Sequence, residues 1–470
     1  MLAPNSVDFD ALTIADADAR IASDGLSPVA LAEAAFARIG ATDGRVNAFV
    51  RLMRDSAMEE AHAAEGRARA GRRLGPLDGI PVAVKDLYDT AGVVTAAGTG
   101  AYRERVPLED ATAIRRLREA GAVILGKTNT HELALGGTTN NVHYGPTRNP
   151  WRLDRVPGGS SGGSGAALAA AQTLGALGTD TGGSIRIPAA FCGVTGHKPS
   201  YGLVGRGGVV PLSLTLDHAG PMARTALDCA LMLDVLAGHD PRDADSVARP
   251  PESFCVGIDG GVQRLRLAVI PSLVEGSDEA TLAAFEAAVE VLRGLGATIG
   301  TAEPMAGEDE WRASVNGLLI AEGASYIERI LRERPQTIGE SVRRRMMAGL
   351  DISATAYIRM LEARASIERR FEAALAEGGF AAYLTPTSHR SAELIVADAN
   401  ADSEPMNKFR ITTVFDMTRQ PSISIPAGFD SDGMPLGLMV SGARWDDARV
   451  LRIAHAFQQA TDFHLRRPAL

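Results

Sequence analysis

Cysteine is scarce in this chain. Cys192, Cys229 and Cys255 are its only three, and none falls in a C-x-x-C pair. That excludes a disulfide framework and points to reduced thiols in a cytoplasmic setting. Long apolar runs are missing as well; the Ala-rich stretch from Gly165 to Leu177 is too short to cross a bilayer and contains Gln172. Met1 to Asp10 shows neither the basic start nor the apolar core of a signal peptide. No membrane association is expected. Basic residues do not dominate: 57 acidic against 48 basic side chains leave a formal charge of -9. Such a balance argues against nucleic acid as a direct partner. The one basic cluster, Arg343 to Arg345, reads as the solvated edge of a helix. His131, Glu132, His143 and the other scattered histidines have no metal-ligand spacing, so neither metal nor cofactor is expected. There is no internal repeat and no low-complexity linker.

What is present is ordinary globular composition, 45% hydrophobic and 22% charged over 470 residues. Residues 10 to about 72 read as helical, with Ser27 as N-cap, Pro28 in the first turn and a further helix over Met58–Ala70. From Leu77 the pattern alternates: strands at Ile80–Val84 and Ala122–Leu125, helices at Asp110–Ala120 and Ser164–Ala171, with Asp110 or Thr112 as a cap. Residues 281–295 and 309–376 are helix-rich. Strand patterns return at Tyr383–Pro386, Ser422–Pro426 and Leu436–Val440, before a closing helix over Asp447–Thr461. This alternation predicts one large α/β/α domain with a mixed central sheet, N-terminal helices and a helical insert. Its parts are a helical region over 1–72, a catalytic core over 73–230, a helical lobe over about 281–376, and a C-terminal sheet and helix over 377–470.

Two glycine-flanked serines and a lysine in apolar surroundings carry the chemistry. Ser184 follows Thr181, Gly182 and Gly183, where backbone free of bulky side chains lets the amides of residues 181–184 converge as an oxyanion hole. Ser184 is the candidate nucleophile. Ser160, in Pro157–Ser164 (PGGSSGGS), opens a helix of small residues and is the candidate proton relay. Lys85 ends an apolar strand, and burial there lets a lysine act as a base. Asp180 and Arg186 flank the nucleophile turn and are expected to brace it. Three rivals are weaker. Gly121–Thr128 fits the phosphate-loop pattern GxxxxGK[ST], but a strand occupies the space between its glycines. Gly159–Gly163 fits the GxSxG elbow around Ser161, without a defensible histidine after it. Cys192 allows a nitrilase-like nucleophile, yet reads as a small core residue.

Several ordered motifs together resemble the amidase signature family: Asp78–Asp86 (DGIPVAVKD), Gly126–Asn129, Asn149–Trp151, Pro157–Ser164, Gly178–Pro188 (GTDTGGSIRIP), Gly196–Pro199, Asp217–Arg224 and Gln420–Gly428. His197 stands where many members are apolar. The resemblance implies a triad of Ser184, Ser160 and Lys85, with a cis peptide before Ser160 and hydrolysis of a carboxamide through an acyl-enzyme. It also implies that Ala134, Gly136, Gly137 and Thr138 line the acyl side of the site together with Ser160. Specificity is expected from the part of the lobe over about 309–376 and from Phe409–Phe415. The expected partner is a small-molecule amide, with a homodimer allowed. The alternative is the glutamine-hydrolysing component of a tRNA-dependent amidotransferase.

Overall fold

The computed structural model describes residues 8–23, 25–305, 308–401 and 410–470. Its strands are β1 (Phe49–Leu52), β2 (Pro81–Lys85), β3 (Val123–Thr128), β4 (Asn140–Asn141), β5 (Gly145–Pro146), β6 (Gly175–Asp180), β7 (Thr195–Lys198), β8 (His218–Ala223), β9 (Arg266–Val269), β10 (Thr298–Thr301), β11 (Ala382–Pro386), β12 (Ser422–Phe429) and β13 (Pro435–Gly442). β4 and β5 form a small ribbon. The other eleven build one sheet in the order β1-β3-β2-β6-β8-β7-β12-β13-β11-β9-β10. Pairing is parallel along β3-β2-β6 and along β11-β9-β10, and antiparallel elsewhere. The sheet is mixed, as expected.

Side chains alternate across it with the period of two that a strand dictates. Leu267, Leu384, Leu438 and Val440 enter one apolar cluster, which also holds the helices Glu279–Gly294 and Asp447–Gln459. Their neighbours Ala268, Tyr383 and Met439 enter a second cluster, shared with the helices Glu308–Glu333, Glu340–Leu350 and Ala354–Gly378. Both faces are therefore covered, and the central strands are buried along their length.

Local details differ from expectation where tertiary pairing decides. β1 interrupts the helical N-terminal region by pairing with β3. β3 runs through Gly126 to Thr128 because β2 on its other side supplies a parallel partner as far as Lys85. The helix Thr112–Glu119 has Ala111 at its N-cap, with no side-chain cap. Asp110 instead accepts the Ala91 N–H and pairs with Arg118. Ser27 does cap the helix Pro28–Val46, accepting the Ala30 N–H. The helix Glu279–Gly294 lies on β11, β12 and β13. No helix among the described residues is long and apolar enough to cross a membrane.

Candidate active site

Lys85 is the last residue of β2, held between β3 and β6 and wholly shielded from solvent. Its Nζ donates to Ser160 Oγ at 2.7 Å and to Thr179 Oγ1 at 2.8 Å. Burial pushes the amine down to about 7, against the attraction of Asp180 and Asp217. It is thus poised to change charge near neutrality.

The loop carrying Ser160 enters the helix Gly162–Ala169 through a cis peptide between Gly159 and Ser160. A Cβ on Gly159 would lie 2.8 Å from Thr138 N, so only glycine lets the loop over Thr138 approach. The Ser160 carbonyl accepts the His131 N–H and the Thr130 hydroxyl. Its side chain is thereby fixed toward Lys85. Ser161 turns the other way: its Oγ donates to Thr179 O, and its N–H donates to Ser184 O at 3.2 Å. That orientation belongs to a scaffold residue, not to an elbow nucleophile.

Ser184 sits in the turn after β6 and lines a cleft. Asp180 shapes this turn. Its carboxylate accepts the N–H of Gly183 at 2.5 Å, of Ile185 at 3.0 Å and of Arg186 at 3.3 Å. Of the four amides expected to face an oxyanion, that of Gly183 is therefore already engaged by a carboxylate. Gly183 itself has φ +125°, and a Cβ there would meet Thr412 Oγ1 at 2.3 Å. Arg186 binds Asp180 through Nε and Nη2, both at 2.9 Å, as the expected brace.

The brace extends to Asp416, which sequence reading missed, and to Thr412 and Thr413, which lie in the stretch expected to set specificity. Arg186 also reaches Asp416 at 2.7 Å and the Thr412 carbonyl at 2.9 Å. The Thr412 and Thr413 hydroxyls both donate to the Gly182 carbonyl. Nothing local in the sequence signals these contacts across some 230 positions. Burial alone would raise Asp180, but Arg186 holds it far below the usual carboxylate range. Asp416 is driven well above that range, chiefly by burial and then by Asp180. Lys198, another fully buried lysine, is lowered to about 7 by burial and donates to the Gln420 carbonyl.

The opposite wall is the loop expected to hold the acyl group. Ala134, Gly136 and Gly137 line the cleft with Gly159, Thr181, Gly182 and Ser184. Thr138 does not; its hydroxyl lies 3.3 Å from His131 Nδ1 and caps the Asn140 N–H. Leu133 and Ala134 both adopt positive φ, at 50° and 59°, backbone strain that β-carbon-bearing residues carry only where packing enforces it. The lobe holds this loop in place: Arg345 donates to the Leu135 carbonyl, and Glu132 accepts the Gly339 N–H while bonding His143. Phe409 lies outside the described residues.

The rival motifs are absorbed into the scaffold. Lys127 of the phosphate-loop pattern lies inside β3, fully buried, donating to Tyr88 O and Thr95 Oγ1 with Asp86 at 3.4 Å. Cys192 is buried, its thiol raised by burial and donating to the Pro157 carbonyl. Among the described residues no cluster of His, Cys, Asp or Glu is arranged to hold a metal ion.

Known proteins resemble this chain along nearly its whole length. The family described as Amidase matches residues 30–451. A glutamyl-tRNA(Gln) amidotransferase subunit of Chloroflexus aggregans is 40% identical, with 98% of each chain covered. The structure of a 6-aminohexanoate cyclic dimer hydrolase with its substrate superposes with a TM-score of 0.90 at 29% identity, covering 98% of this chain and 99% of that one. The corresponding glutamyl-tRNA(Gln) amidotransferase subunit of Thermotoga maritima gives 0.80 at 32% identity, covering 97% and 96%.

The two amidotransferase subunits overturn the expectation of a small-molecule amide partner with no nucleic acid directly engaged. Their name ties them to a tRNA-dependent reaction. Net charge reports a chain's own nonspecific attraction to polyanions, and so is silent about any assembly in which a chain acts. With the family match spanning nearly the whole chain, the protein belongs to the amidase signature family of hydrolases acting on carbon–nitrogen bonds.

Proposed function

We propose that this chain hydrolyses the side-chain carboxamide of glutamine as the amide-cleaving component of a tRNA-dependent amidotransferase. Ser184 is the nucleophile, Ser160 the relay and Lys85 the base. The observation that carries the chemistry is a fully buried amine, lowered to about 7, that hydrogen-bonds Ser160 at 2.7 Å beside the Ser184 cleft. Near-full-length similarity to glutamyl-tRNA(Gln) amidotransferase subunits supports the choice of glutamine.

In this mechanism neutral Lys85 takes the Ser160 proton while Ser160 takes that of Ser184, whose Oγ attacks the amide carbon. The oxyanion is met by the backbone amides of Thr181, Gly182 and Ser184, with Gly183 held back by Asp180. The carbon–nitrogen bond breaks as the proton returns through Ser160 to nitrogen, releasing ammonia. Water then repeats the sequence on the acyl-enzyme, freeing glutamate and Ser184.

The test compares glutamine with other carboxamides, using the purified chain alone and with candidate partner proteins, and reading ammonia. The proposal expects glutamine turnover that the partners and charged tRNA stimulate. Efficient hydrolysis of unrelated carboxamides by the chain alone, with glutamine inert under every condition, would instead identify a free-standing amidase.

A further inference from the structure

A second chamber, of about 270 Å³, lies across the segment from Pro211 to Asp217. Pro211, Leu214 and Asp217 line it, while Leu212 of the same segment lines the Ser184 cleft. Thr179 lines it too, and the Thr179 hydroxyl takes a hydrogen bond from Lys85 Nζ at 2.8 Å. The chamber therefore backs onto the base. Ala219, the register partner of Thr179 across β6 and β8, lines it alongside. Leu214 and Tyr326 are 57% and 54% exposed, an apolar rim that faces water.

Inside, the polar groups want a positive donor. Arg206 is fully used: it bonds the carboxylates of Asp243 and Asp245 and the carbonyls of Leu214 and Asp217. Arg242 turns to the Asp110 carbonyl and Glu109. Among the described residues no cation pairs with the Asp217 carboxylate, which accepts the Thr181 hydroxyl and the N–H groups of Leu212 and Ser213. Burial pushes that carboxyl up. His218 is 3% exposed, and its Nδ1 donates to the Leu216 carbonyl at 2.7 Å. Nε2 is left as a bare acceptor with no partner. A buried acceptor left unmet and a buried carboxylate left uncompensated are both costly.

We propose that this chamber is a second ligand site, for a primary ammonium on a short apolar stem, and that its occupant acts on Lys85 from behind. The ammonium donates to His218 Nε2 and offsets the Asp217 charge, while the stem lies against Leu214 and the Tyr326 ring. Lys85 feels the attraction of Asp180 and Asp217. A cation that offsets Asp217 and displaces solvent from Thr179 makes charged Lys85 costlier, so more of the base is neutral at a given pH. The site does not depend on which amide the cleft accepts; its effect on rate rests on the reading of Lys85 as the base.

The experiment titrates the full chain with n-butylammonium chloride, using n-butanol and sodium chloride as controls, and reads binding by calorimetry and kcat/KM by ammonia release. Prior labelling of the nucleophile with a fluorophosphonate closes the cleft, so the heat that remains reports the chamber. The labelled chain should bind n-butylammonium saturably and n-butanol not at all. Leu214→Arg, which sets a like charge at the exposed rim, should keep basal turnover and bind at least about tenfold more weakly. In the unlabelled chain n-butylammonium should raise kcat/KM at least about threefold near pH 6 and leave it within about 1.5-fold near pH 8.5. Ala219→Leu, which fills the space beside Thr179, should abolish that rise. No saturable binding to the labelled chain, unweakened binding by Leu214→Arg, or an equal response to n-butanol overturns the site. Binding with no change in rate near pH 6, in a chain whose rate does climb from pH 6 to 7, overturns its action on Lys85. A rate flat from about pH 6 to 9 without amine overturns the base assignment instead and leaves the site standing.

Discussion

Replacing Lys85 with methionine separates the chemistry of this residue from its place in the fold. Methionine fills a similar volume, cannot carry a proton, and is at home in apolar surroundings. The native amine has its protonation midpoint near 10.5 when solvated and about 7 in the folded chain. Because the folded value is the lower one, the folded state binds fewer protons between those two pH values. Stability therefore rises with pH across that window and is flat below it. Keeping Lys85 neutral costs the fold about 4 kcal/mol at pH 7 and about 2 kcal/mol at pH 9, relative to strongly alkaline solution. Lys198 contributes a similar dependence, but it is common to both proteins and cancels in the difference. Denaturant unfolding of the Lys85→Met variant should thus show its stability relative to wild type improved by about 2 kcal/mol more at pH 7 than at pH 9. The hydrogen bonds lost to Ser160 and Thr179 lower both values equally. Turnover should fall by about 100-fold or more. A variant that keeps wild-type turnover, or whose stability difference does not change between the two pH values, refutes the reasoning.

Other perturbations address neighbouring parts of the site. With the neutral form of Lys85 proposed as the base, wild-type kcat/KM should rise tenfold per pH unit below pH 7 and level off above it; a flat profile from about pH 6 to 9 contradicts that role. Ser160→Ala should cost about 100-fold or more in kcat, whereas Ser161→Ala, which loses only its bonds to Thr179, should stay within about tenfold; the reverse order revives the elbow reading. Arg186→Met leaves Asp180 and Asp416 buried without their cation and should destabilise the fold by about 3–5 kcal/mol in denaturant unfolding. Gly183→Ala forces a Cβ against Thr412 at a positive φ, and should reduce activity far more than a Gly→Ala change at Gly66, where space is open.

Much of this arrangement was legible in the amino acids, and the reasons are local. Val82, Ala83 and Val84 leading to Lys85 announce a buried strand end, and a lysine there has no route to water. Ser27 before Pro28 announces a helix start. β6 was not legible: Gly175–Asp180 has no β-branched residue before Thr179, and its strand conformation comes from pairing with β2 and β8. β9 and β10 are too short to show a period. The Gly183 amide was assigned to the oxyanion because glycine suggests an open backbone, while the carboxylate that claims it is fixed by the fold of the whole turn. Asp416 and the threonines beside it reach the site only because the helix Arg410–Met417 folds back onto it. Contacts of that range leave no trace in spacing. Family motifs announced the reaction class, whereas net charge misled about partners.

The central claim is that Ser184 is the nucleophile and that its reactivity depends on Lys85. The most direct measurement is labelling with a serine-directed fluorophosphonate followed by peptide mass mapping of wild type and Lys85→Met. The account predicts one adduct, on Ser184, formed at least about 100-fold more slowly in the variant. An adduct on Ser160 or Ser161, or equal labelling rates in the two proteins, would contradict it.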